Sequence, residues 1–137
     1  MENDVFLCKT YFADELMISR HYIPQPPLSD FVEMLWYQEA PAPSHARERL
    51  LPMGQMELVV NLLEDWNDTY DHQDRLRVFR GGLLVGIHSE YFSIDTTQAV
   101  KVIGVHFKPG GAFPFLHLPA GELHNTNLSL EDLWGAA

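Results

Sequence analysis

The sequence predicts a mainly β protein with short helices: an α+β chain folded as a small barrel or sandwich with a C-terminal helix. Three observations predict it. Short alternating segments recur along the 137 residues, separated by glycine, proline and polar turn residues. Gln55 to Leu63 alternate cleanly, with Met56, Leu58, Val60 and Leu62 on one face and Gln55, Glu57, Val59 and Asn61 on the other. Ile103 to Phe107 alternate too, with Ile103, Val105 and Phe107 opposite Gly104 and His106. They run into Pro109-Gly110-Gly111, where proline cannot donate to a sheet ladder and the glycines permit a sharp turn.

The elements follow in order. Residues 1–16 mix acidic and apolar residues without a firm period and read as an arm. Leu16 to Ile23 read as a strand that stops at the rigid spacer Pro24-Gln25-Pro26-Pro27. Leu28 to Glu33 carry a helix-start signature, with Asp30 as cap and Glu33 three residues on. The helix is short, because Met34 to Gln38 read as a strand. Ala40 to Ser44 form a loop within one domain that spans residues 1–137. Glu48 to Leu51 and Gln55 to Leu63 are strands around a Pro52-Met53-Gly54 turn. Glu64 to Asp74 are polar and read as an exposed loop. Arg75 to Phe79, Leu83 to Ile87, Tyr91 to Asp95 and Ala99 to Phe107 complete the strands. Ala112 to Leu116 open a short helix, and Pro119 to Leu123 make one helical turn. Ser129 caps a last helix from Leu130, with Asp132 at the box position and no stop signal before Ala137. The chain therefore reads as ending inside an element.

Bulk properties narrow the function. Nineteen acidic residues against nine basic give a formal charge of −10, a surface that repels nucleic-acid phosphates and anionic membranes. Any DNA contact must come from another part of the polypeptide. Cys8 is the single cysteine, so no intrachain disulfide forms. There is no signal-peptide pattern, and no apolar run approaches the ~20 residues of a membrane helix. These features predict a soluble cytoplasmic protein that does not contact membranes.

Five groups of residues carry a family resemblance from Tyr22 to Ala137. They are Tyr22-Ile23-Pro24 with Leu28 to Glu33 and Leu35-Trp36-Tyr37; Arg49 to Gly54 with Glu57 to Leu62; Gly86 to Ser89; Ile103 to Gly111; and Leu128 to Gly135. In this order they resemble the uncharacterised N-terminal domain of a branch of AraC-family transcription regulators. The resemblance implies a cupin-like β domain that senses a small-molecule effector or forms a homodimer. It also implies a C-terminal pair of helix-turn-helix motifs that touches DNA and is not in this chain. Met53 stands where the family more often has Asp, and His106 where it often has arginine. Both departures concern a shared ligand rather than the fold.

No catalytic motif appears. There is no Gly-x-Ser-x-Gly elbow, Gly81 to Gly86 lack the Gly-Lys-Ser/Thr of a phosphate loop, and Cys8 lies in the irregular arm. The protein reads as a non-enzyme without a cofactor. Seven histidines (His21, His45, His72, His88, His106, His117 and His124) raise the question of metal, but no His-x-His pair occurs and His88 with Glu90 is only a fragment of such a motif. A metal site is not assigned. The alternative class is a stand-alone cupin-like metal-dependent enzyme or small-molecule-binding protein.

The candidate ligand residues lie on the second face of the Gln55–Leu63 strand. In a barrel, Glu57 and Asn61 would offer polar contacts to a cavity, with Trp36, Tyr37, Phe107 and Trp134 as walls. The simpler reading turns Glu57 and Asn61 to water and makes Trp36 a core residue. Leu130, Leu133 and Trp134 share one side of the last helix, a candidate interface for a second subunit or for packing on the same domain.

Overall fold

The computed structural model describes residues 17–42 and 46–135. The N-terminal arm, Cys8 and His45 lie outside the described residues. Among the described residues, ten strands form two antiparallel sheets. The six-stranded sheet has the order β1 (Ile18–Tyr22), β2 (Val32–Ala40), β9 (Val100–Phe107), β4 (Glu57–Asn61), β7 (Leu83–Val85) and β10 (Asn127–Ser129). The four-stranded sheet has the order β3 (Arg47–Leu50), β8 (Phe92–Asp95), β5 (Trp66–Tyr70) and β6 (Leu76–Arg80). The sheets do not close into a barrel; of the two predicted architectures, the molecule is the sandwich.

β9 is the spine of the larger sheet, pairing with β2 on one side and β4 on the other. Its alternation sorts two environments. Phe107 and Val105 join Val32, Leu35, Met56, Leu58 and Leu84 in an apolar core. That core is capped by α1 (Phe113–Leu116), a 3-10 turn (Ala120–Leu123) and α2 (Leu130–Trp134) through Leu116, Leu123 and Leu130. On the opposite face, Leu83, Val85 and Val59 meet Leu50, Phe79, Phe92 and Ile94 of the smaller sheet.

Several boundaries differ from the sequence reading, each for a physical reason. Residues 64–74 are not one exposed loop, because Trp66–Tyr70 form β5, paired along its length with β6 and by Thr69 and Tyr70 with β8. Its inward residues, Asn67 and Thr69, are polar, so no apolar alternation marks it. Asp30 does not cap a helix: only a 3-10 turn (Leu28–Asp30) forms, with Pro27 at its N-cap and no side-chain bond. Val32 is drawn at once into pairing with Phe107, across an irregularity before Met34. At the other end, the Ser129 hydroxyl does accept from the Asp132 N–H at 3.0 Å. That helix stops at Gly135, whose φ of 86° favours glycine, so a stop signal is present.

Candidate functional site

The sandwich encloses a cavity of about 460 Å³ between its sheets. Strand alternation decides which side chains face it. From the larger sheet come Met34, Trp36 and Gln38 of β2, Val102 and His106 of β9, and Glu57, Val59 and Asn61 of β4. From the smaller sheet come Glu48 and Leu50 of β3, Phe92 and Ile94 of β8, and Thr69 of β5. The walls are thus largely apolar, and a few polar groups converge on one region, as in small-molecule sites.

That region is built by register. Trp36, Gly104 and Val59 are cross-strand partners, and one row along, so are Met34, His106 and Glu57. A Cβ on residue 104 would lie 2.2 Å from Cε2 and Cζ2 of the Trp36 ring. Glycine there lets the indole lie flat across β9 and sit beside His106, at 6.0 Å between ring centroids. His106 Nε2 approaches Glu57 Oε1 at 3.5 Å, with both side chains nearly shut off from solvent.

Burial sets the protonation of this pair. It pushes the Glu57 carboxyl up to about 7, and the nearby Trp36 indole N–H opposes that in part. The indole N–H itself completes no hydrogen bond with a protein atom. Burial also lowers the His106 imidazole below its ordinary value; Glu33 pulls it back up and His21 lowers it further. His106 is therefore neutral at pH 7, and its Nδ1 has no hydrogen-bond partner although the residue is 6 % exposed. The deep end of the cavity thus holds a half-ionised acid, a neutral imidazole and an indole N–H, all with hydrogen-bonding capacity to spare.

The residues singled out in the sequence separate into two groups. Trp36, Glu57 and Asn61 line the cavity. Asn61 also braces the mouth, its Oδ1 accepting from the Leu63 and Glu64 N–H groups. Tyr37 points the other way and donates to Glu39 at 2.5 Å. Phe107 is 4 % exposed inside the helix-side core. Leu130 is buried in that same core and Leu133 packs against it, so both contact their own domain, while Trp134 is 54 % exposed. Sequence reasoning passed over His106 as a site residue. The available signal was its place on the same strand face as Gly104; its pairing with Glu57 depends on long-range register. Among the described residues, no group of three His, Cys, Asp or Glu side chains could hold a metal ion.

A family model described as a domain of unknown function, DUF6597, matches residues 20–129. The chain belongs to the DUF6597 family. No curated protein and no solved structure matches it. The DUF6597 span contains β2 to β10 entire and every residue that lines the cavity, while α2 follows it. The cavity thus lies within the matched span rather than in a flanking segment. No helix among the described residues is long and apolar enough to cross a membrane.

Proposed function

We propose that this domain binds a small molecule between its sheets and serves as the sensor part of an AraC-type transcription regulator. The observation that carries the first half is the cavity: about 460 Å³, apolar-walled, with buried polar groups left unpartnered at one end. Its volume falls in the ordinary range for small-molecule sites. Native buried polar atoms are nearly always satisfied, so an incomplete set in a cavity points to a ligand that completes it. The second half rests on the sequence resemblance and on the charge of −10, which suits a sensor that leaves DNA to a tethered neighbour.

The mechanism is a shift in population: an occupant favours one arrangement of the sandwich, and the attached DNA-binding part follows. Two experiments test the two halves. Thermal melts of the domain against a chemically diverse panel of small molecules should show stabilisation that Trp36→Ala or Glu57→Gln alters. A panel without a single hit removes the ligand reading. Operator affinity of the full-length protein should then change with the hit present, and equal affinities would remove the regulatory reading.

A further inference from the structure

We infer that the cavity takes an organic cation, an apolar ammonium compound, with Glu57 as its counter-ion and the Trp36 ring as its platform. This rests on the small-molecule reading above and narrows it to one chemical class.

The charged side chains that face inward are acidic. Glu57 and Glu48 project from opposite sheets into the space, and both are largely buried. Of the lining residues, Arg49 is the one Arg or Lys, and it neighbours Glu48 on β3, so alternation turns it outward. There its guanidinium sits 4.6 Å from the centroid of the Tyr91 ring. Among the described residues no Arg or Lys pairs with Glu57; the basic group beside it is His106, which burial keeps neutral. A buried carboxylate without a cation is costly, and a ligand that brings one offsets part of that cost.

The surface next to the Glu57 carboxylate is aromatic. The Trp36 indole lies flat across Gly104 and lines the cavity. Tryptophan is the best aromatic partner for a cation over its face, the more so away from water. Apolar substituents on the ammonium would meet Val59, Leu83, Val85, Phe92 and Ile94. An anion would face the Glu57 carboxylate. A neutral apolar molecule would fill the walls but leave the acid unmatched. The −10 charge of the whole chain further concentrates cations at its surface.

The titratable groups that line the cavity with Glu57 include His106 on β9, His21 on β1, Glu48 on β3, Asp68 on β5, Asp95 on β8 and Glu64 just past β4. His88, just past β7, also lines the space, and its Nε2 lies 2.7 Å from Asn127 Oδ1. A cation binds the ionised form of Glu57, whose carboxyl titrates near 7. Affinity should therefore rise with pH by about tenfold between pH 6 and pH 8.

The test is calorimetric titration of the protein with benzyltrimethylammonium and with neopentylbenzene, which has the same shape with carbon in place of the charged nitrogen. At pH 8 the ammonium should bind at least about tenfold tighter, lose that advantage towards pH 6, and lose it in Glu57→Gln. The pH comparison uses the unaltered protein and so does not depend on the variant's folding. Equal or tighter binding of the neutral probe overturns the cation inference, as does ammonium binding that ignores both pH and Glu57→Gln. If neither probe binds but the broader panel gives a hit, the inference fails and the cavity reading survives. Silence from probes and panel alike overturns both.

Discussion

The two faces of the six-stranded sheet come from the same strands, often from adjacent residues, yet they follow opposite rules. On the helix side, Leu84, Phe107 and Leu116 pack into a dry apolar cluster closed by α1, α2 and the 3-10 turn. On the cavity side, Trp36 and His106 leave polar atoms unmatched around open space beside the Glu57 carboxyl. Leu84 and Leu83 are chain neighbours, 1 % and 4 % exposed, and belong to different clusters. The difference teaches that burial alone does not mark a core. What marks it is whether each buried group is satisfied.

The largest effect should come from the dry face. Leu84→Ala should cost about 4 kcal/mol in urea unfolding, because the closed cluster cannot relax into the void. Glu57→Gln should do the reverse on the other face. The Glu57 carboxyl is raised in the folded state, so folding holds a proton that the unfolded chain releases. Stability is therefore lost as pH rises from the ordinary value of 4.5 to about 7, and the loss stays constant above that. Removing the acid should raise stability at pH 8 by up to about 3 kcal/mol, less whatever cavity water screens. The gain should shrink to nothing well below pH 4.5, where both states are protonated. Melts of both proteins across that window would show a parallel offset instead if Glu57 kept an ordinary pKa. His106 works in the opposite sense, since its lowered value makes stability fall as pH drops below 6.5.

Two smaller effects sharpen the contrast. Leu83→Ala opens into space that already exists, so it should cost about 2 kcal/mol, roughly half the loss at its neighbour. Equal losses at residues 83 and 84 would mean that the two faces are packed alike. Ser129→Ala removes the cap of α2 and should cost about 1 kcal/mol in the same denaturant series, with ligand binding untouched.

Much of this contrast was legible in the sequence. The alternation of residues 55–63 separated Met56, Leu58 and Val60 from Glu57, Val59 and Asn61, and the structure puts those sets on opposite faces of one strand. The Ser129 cap was legible because capping is a local signal. What escaped was non-local. No spacing in the chain announces that Glu57 stands opposite His106, or that Trp36 needs the gap at Gly104, since both depend on strand order β2-β9-β4. β5 escaped because its inward side chains, Asn67 and Thr69, are themselves polar, so composition resembled a loop. Asp30 misled because a good capping residue counts for little against the pairing of the strand that follows.

β7 is three residues long, and its position has a mechanical consequence. Leu83 and Val85 form part of the cavity wall while Leu84, between them, sits in the helix-side cluster. Val85 is registered with Glu57 of β4 on one edge and with Asn127 of β10 on the other. β10 ends in Ser129, the cap of α2, with no linker between them. The strand therefore ties the cavity wall, through one ladder of hydrogen bonds, to the strand that caps α2 at the far edge of the sheet.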